Sequence, residues 1–151
     1  MKILVCTDGS EQSQKALEEA SVIAKGCNVA EVAIIYVYDH RHDTYLPYES
    51  EGIFSAEQME NYQKMMEEQK EEKKIILLDA SKFFKRKSIK SRTIFKEGHP
   101  AHTIVKVAQE EGYDIIVISS EGLTGLKKLF LGSVSNAVVQ EAKNCSVLVV
   151  K

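Results

Sequence analysis

With 151 residues, 44% of them apolar and 28% charged, the chain has the size and composition of one folded domain and too much hydrophobic content for a disordered protein. A formal charge of -2 and a pI near 6.1 exclude a global basic field able to hold nucleic acid or an anionic membrane surface, so any anion has to be bound locally. No apolar run approaches the roughly 18 residues that span a bilayer, and the opening residues carry no signal-peptide pattern, so a cytoplasmic protein is expected. Cys6, Cys27 and Cys145 are odd in number, widely spaced and free of any CxxC pairing. Neither a disulfide framework nor a zinc site is indicated, and all three are expected reduced and buried.

Five short β-branched runs alternate with longer helical patterns. The first strand is expected over residues 2–7. Asp8, Gly9 and Ser10 then supply a turn and a helix cap, with Glu11 positioned for a capping box, before apolar residues recur at Ala16, Leu17, Ala20, Ile23 and Ala24. Gly26 ends that helix. Residues 32–38 follow without polar interruption, as expected for a central strand covered on both faces. From 39 to 55 periodicity is lost and His40, Arg41, His42, Asp43, Pro47 and Gly52 collect, which reads as a long surface loop over the mouth of any site at this end of the sheet. Ser55 with Gln58 is a second capping-box signature and opens a long helix. Its charge run at 67–74 reads as solvated, its later residues Ile76, Leu77, Ala80, Phe83 and Phe84 as an apolar face, and the basic stretch 85–90 as its end.

A short strand is expected over 92–96, a turn at Gly98 and Pro100, and a helix with apolar residues Ile104, Val105, Val107 and Ala108 that Gly112 stops. Residues 114–118 form the next buried strand, 133–143 a last helix and 146–150 a last strand. Five strands and four helices in βαβ order, with right-handed crossovers, require a parallel sheet with helices on both faces. Such α/β sheets take ligands outside the carboxyl ends of their strands, where strand order reverses.

Between the fourth strand and the last helix lies Ser119-Ser-Glu-Gly-Leu-Thr-Gly-Leu-Lys-Lys-Leu-Phe-Leu-Gly-Ser133. Gly122, Gly125 and Gly132 let backbone approach a ligand, and Gly132-Ser133 stands where a helix N-terminus presents unpaired amides and a positive dipole end, a combination that suits phosphate. It matches neither the P-loop nor the dinucleotide GxGxxG pattern, and on composition alone it is equally a glycine-bearing loop.

At these residues the sequence resembles the universal stress protein family over almost its whole length. The family motif GxxGx9G[ST] is matched from Gly122 to Gly132-Ser133, and Val5-Cys-Thr-Asp-Gly-Ser10, Val37, Gly98-His-Pro100 and Asn144-Cys-Ser-Val-Leu-Val-Val150 match further family phrases. The resemblance implies one domain over residues 1–151, a Rossmann-like sheet ordered 3-2-1-4-5, and a homodimer joined through residues 147–150. It also implies an adenine nucleotide site for ATP with Mg2+ or Mn2+, built from Thr7, Asp8, Val37, Ser119, Gly122, Gly132, Ser133 and Val134. Asp8 and Val37 are expected at the adenine, and Gly122, Gly132, Ser133 and Val134 at the phosphates. Asp8 and Ser133 also suit plain helix caps, and Val37 a core position.

Two departures from the family pattern stand out. Ser119 replaces the motif's first glycine, and Glu121 replaces a usual His or Arg, bringing a carboxylate toward the phosphates that only a cation or Lys127 and Lys128 would offset. Among the histidines, His40 and His42 are expected at the surface, while His99 and His102 flank Pro100 near the crevice in capping or surface roles. No Ser-His-Asp order or paired-carboxylate spacing marks a dedicated enzyme. Three readings follow: an ATP-responsive regulatory dimer in a stress response, an interaction protein of the same fold that has lost nucleotide, and, ranked last, a slow ATPase using Glu121 or His99.

Overall fold

The computed structural model describes residues 1–39, 55–121 and 131–151. The order of elements is β1 (Lys2–Cys6), α1 (Glu11–Gly26), β2 (Glu31–Tyr38), α2 (Ala56–Arg86), β3 (Ser91–Glu97), α3 (Pro100–Glu110), β4 (Ile115–Ser119), α4 (Ser133–Glu141) and β5 (Ser146–Val150). Every strand pair is parallel, and the sheet runs β3-β2-β1-β4-β5. Among the described residues the expected strand order, five strands and four helices are therefore present, with ends displaced by a residue or two from the expected ones. Thr7 lies just beyond β1, Ser119 falls inside β4, and α4 stops at Glu141.

The uninterrupted apolar run in β2 has its physical reason in the two cores that flank the sheet. Ala33 and Ile35 join Leu4, Cys6, Ile116, Ile118 and the inner face of α3 on one side, while Val32, Ile34 and Tyr36 join Ile3, Val5, Val117 and the inner faces of α1 and α2 on the other. A half-buried strand would alternate; a strand buried on both faces has no polar position to offer. Each of these fully buried aliphatic side chains contributes about 1.5–3 kcal/mol relative to exposure.

Local chemistry sets the helix ends. Ser55 Oγ accepts from the Gln58 amide at 3.2 Å and Gln58 Oε1 accepts from the Ser55 amide at 2.9 Å, the reciprocal capping box expected there. At α1 the expectation was half right. Ser10 is the cap, but its hydroxyl accepts from the amide of Ser13, because Glu11 occupies the first helical position, two residues short of where a capping box reaches back. Gly9 adopts φ +82°, and a Cβ there would lie 2.8 Å from Ile76 Cδ1 of α2.

All three cysteines are free thiols, as expected, but the expected burial holds only for Cys6. Burial, and then the neighbouring Asp8 carboxylate, push its thiol far above the ordinary range. Cys27, just past the end of α1, is exposed, and Cys145 before β5 is half-buried. Apolar-looking residues at element ends need not reach the core.

Candidate functional site

The carboxyl edge of the sheet holds the switch point. From β1 the chain turns into α1 on one face of the sheet, whereas β4 leads to α4, which packs with α3 on the other. Adjacent strands that send their connections to opposite faces leave a crevice between them. Continuing the observed register, Cys6↔Ile35 and Val5↔Val117, puts Asp8 level with Val37 and Thr7 level with Ser119. Five of the eight residues singled out above thus meet the crevice from three strands and one helix N-terminus: Thr7, Asp8, Val37, Ser119 and Gly132. Ser133 and Val134 follow in the first turn of α4. Gly122 lies outside the described residues, as do Gly125, Lys127, Lys128, His40 and His42.

The β1–α1 turn is tightly hydrogen-bonded. The Thr7 amide donates to Ile35 O at 3.0 Å, its Oγ1 stands 3.1 Å from Ser13 Oγ, and it accepts from the Gly9 amide at 3.2 Å. Asp8 Oδ1 accepts from the amide and hydroxyl of Ser10 at 3.0 and 2.6 Å. The helix-entry role foreseen for Asp8 is therefore real, though indirect: it orders Ser10, and Ser10 caps the helix. Val37 is half-buried against the α3 side, while Thr7 shares the parity of Ile3 and Val5 and faces α1. The crevice straddles the end of the sheet.

At α4 the cap is Gly132, with Ser133 one position inside the helix, so Ser133 does not cap as the alternative role proposed. Helix geometry leaves the first-turn amides of Ser133, Val134 and Ser135 without intrahelical acceptors. What holds this terminus in place is Ser120. Its carbonyl accepts from the Gly132 amide at 2.7 Å and from Ser135 Oγ at 2.9 Å, and its own amide donates to Val150 O at 2.6 Å. A Cβ on Gly132 would sit 3.2 Å from that same carbonyl, tighter than most side chains tolerate, so packing as well as any ligand favours a glycine here. Ser135, buried and bonded, went unnoticed in the sequence because serine in a first helical turn is common.

His99 is the residue before α3 and makes no side-chain cap bond, and exposed His102 lies 3.9 Å from Glu141 Oε2 on α4. An open cleft of about 340 Å³ opens beside Thr7, Gly9 and Ser10, between α1 and the Ile76–Arg86 part of α2. Among the described residues its lining includes none of Val37, Ser119, Gly132 or Ser133, so it adjoins the crevice without being it. No group of three or more metal-ligating side chains occurs among the described residues. Likewise, none of their helices is long and apolar enough to cross a membrane.

A second cluster, at the amino edge of the sheet, was missed entirely. Arg92 reaches Glu31, Glu111 and the Tyr113 hydroxyl, and Tyr113 Oη donates to Glu31 at 2.7 Å. The Tyr113 bond, then Arg92, holds the Glu31 carboxyl below its usual range, and burial, then Glu31, raises the Tyr113 phenol. Its members come from three separate segments, and Glu31, Arg92 and Glu111 each alone look like surface charge.

A parallel, doubly wound sheet with amides converging on its switch point defines a Rossmann-like α/β protein. Residues 1–151 match the model of the Universal stress protein family, and the chain belongs to that family. It is 37% identical over 150 residues to the universal stress protein YxiE of Bacillus subtilis, covering 99% of this chain and 98% of that one. It is 34% identical over 161 residues to universal stress protein MJ0577 of Methanocaldococcus jannaschii, whose solved structure superposes with a TM-score of 0.73 over 99% of this chain and 94% of that one. Two more distant solved structures share the fold. One is a universal stress protein in complex with cAMP, 24% identical, TM-score 0.66, with 99% and 94% covered. The other is the Archaeoglobus fulgidus universal stress protein in complex with dAMP, 20% identical, TM-score 0.65, with 100% and 98% covered.

Proposed function

We propose that the chain is a single-domain, cytoplasmic regulatory protein of the stress response that binds ATP at the crevice and works as a homodimer. The observation that carries this reading is the anchored N-terminus of α4, where Gly132, Ser133 and Val134 stand beside the end of β4 at the sheet's switch point. Phosphates are the groups such amides attract. In this reading Gly132, Ser133, Val134 and Gly122 hold the phosphates with their Mg2+ or Mn2+, Asp8 and Val37 receive the adenine, and Thr7 and Ser119 border the sugar. That family members have been crystallised with cAMP and dAMP supports an adenine nucleotide as the ligand class.

Ser119 bears on the choice against a disabled site. It is buried at the end of β4, paired with Val150, so the protein already accommodates the side chain that the family motif lacks. The homodimer rests on β5, an edge strand with Leu148 exposed and its outer hydrogen-bonding groups open to another strand. Calorimetric titration of freshly purified protein with ATP and Mg2+, with adenosine alongside, tests the proposal. Saturable ATP binding stronger than adenosine binding is expected. Absence of binding both in the native chain and in Ser119→Gly/Glu121→Arg would refute it, whereas binding only in the double variant would make the chain an interaction protein with a lapsed site.

A further inference from the structure

The outer face of α2 carries a pattern that its packing does not use. Leu77, Ala80 and Phe84 turn inward; on the other side Ile75 and Leu78 are 57% and 54% exposed and, three residues apart, lie on one stripe. Two exposed aliphatic residues mean little by themselves. The charges around them do not repeat at random. Counting outward from the point between Ile76 and Leu77, Lys74 is matched by Asp79, Glu71 by Lys82, Glu68 by Lys85 and Glu67 by Arg86. Every match pairs opposite signs.

We propose that this face is a self-association surface on which a second copy of the chain docks with its α2 antiparallel, about a two-fold axis at that midpoint. Such an arrangement sets Ile75 against the partner's Leu78 and each acidic residue opposite its basic counterpart, so one set of contacts is made twice, as an isologous interface requires. A parallel alignment instead places like charges side by side. In the single chain Glu71 and Lys74 pair at 2.6 Å and Asp79 and Lys82 at 3.0 Å. Exposed pairs of this kind contribute little, so exchanging them for pairs between copies sacrifices little. The helix packs on β2 and β3, at the opposite edge of the sheet from β5, so this contact is independent of any pairing through the edge strand. One pair of helices buries less than the ~1,200 Å² of a standard interface, and the association is accordingly weak and sensitive to salt.

Sedimentation equilibrium over a wide concentration range tests it, on the native chain and on Leu148→Arg, which removes pairing through β5. In both, Leu78→Asp, Glu71→Lys and Lys82→Glu are each expected to weaken self-association by about tenfold or more, and Glu71→Lys/Lys82→Glu to restore it. Raising the salt from about 0.01 M to about 1 M, which shortens the screening length from roughly 30 to roughly 3 Å, should weaken the native contact and leave Leu78→Asp unmoved. All four substitutions lie at exposed positions, and circular dichroism confirms folding. Self-association indifferent to all of them leaves the face to water or to a different protein and overturns the proposal. A double charge exchange no better than the single ones overturns it too.

Discussion

Substituting Gly132 with alanine separates a packing requirement from a ligand requirement. Alanine adopts the observed φ of -60° without strain, and replacing glycine at such a position ordinarily stabilises by about 0.4–1 kcal/mol through the unfolded chain. Here the new Cβ lies 3.2 Å from Ser120 O, 3.6 Å from Glu121 Cα and 3.7 Å from Ser135 Oγ. The carbonyl has to retreat by a few tenths of an ångström, yet it is held by Gly132 at 2.7 Å and by Ser135 at 2.9 Å. Losing much of two hydrogen bonds worth about 0.5–1.5 kcal/mol each costs about 1–2 kcal/mol and outweighs the entropic gain. The net loss is up to about 1.5 kcal/mol, a fall in Tm of up to roughly 6 °C for a chain of this length. Gly26→Ala is the matched control, since nothing lies within 4 Å of its added Cβ in the last position of α1, and it should raise Tm instead. Thermal unfolding of both variants without nucleotide reads the difference. If Gly132→Ala stabilises as much as Gly26→Ala does, the Ser120 carbonyl is not confining, and the glycine is kept for a ligand alone.

Other outcomes are equally definite. Ser133→Ala removes no cap and should leave Tm within about 0.5 kcal/mol of native while weakening ATP by about tenfold or more through loss of a hydroxyl near a charged acceptor; equal ATP affinity by titration would remove Ser133 from the phosphates. Glu121→Arg should tighten ATP and leave adenosine unchanged, because only ATP brings phosphates to that charge. Leu148→Arg should lower the dimer fraction in light scattering by placing a charge on the edge strand, and an unaltered mass would rule out pairing through β5. The amino-edge cluster should shape stability against pH. Glu31, lowered in the fold, stabilises above the ordinary carboxylate pKa and ceases to do so as pH falls through its lowered value; Tyr113, raised, stabilises below about pH 10 and ceases to do so as pH climbs through its raised value. Tyr113→Phe should therefore flatten the alkaline limb of a denaturation series and make the acid limb shallower, since Glu31 loses its donor. Unchanged limbs would show that the cluster does not couple to folding.

How much was legible beforehand followed from how local each cause is. The helix opening at Ser55 was readable because a capping box is written within four residues, and β2 because burial on both faces leaves an unbroken apolar run. Strand order was not contained in any period or spacing; it came from the resemblance carried by Gly122, Gly132 and Ser133. Glu11 misled because a capping box depends on an exact offset that composition does not show. Cys27 misled because a residue's hydrophobicity says nothing about which side of a helix end it falls on. The Glu31–Arg92–Glu111–Tyr113 cluster joins residues up to 82 positions apart, and only the folded sheet brings them within reach. For Gly132 the position was found but half the cause was missed, since the carbonyl it must clear belongs to a residue twelve positions earlier.

That carbonyl belongs to a residue whose two backbone groups are held from different directions. The Ser120 amide is fastened to the last residue of the edge strand, and its oxygen to the mouth of the helix where an anion would settle. A displacement of α4 that moves Ser120 would act on Val150 through the 2.6 Å bond between them. In the proposed reading, a ligand at the crevice and a second chain at the edge would therefore meet at one residue, Ser120.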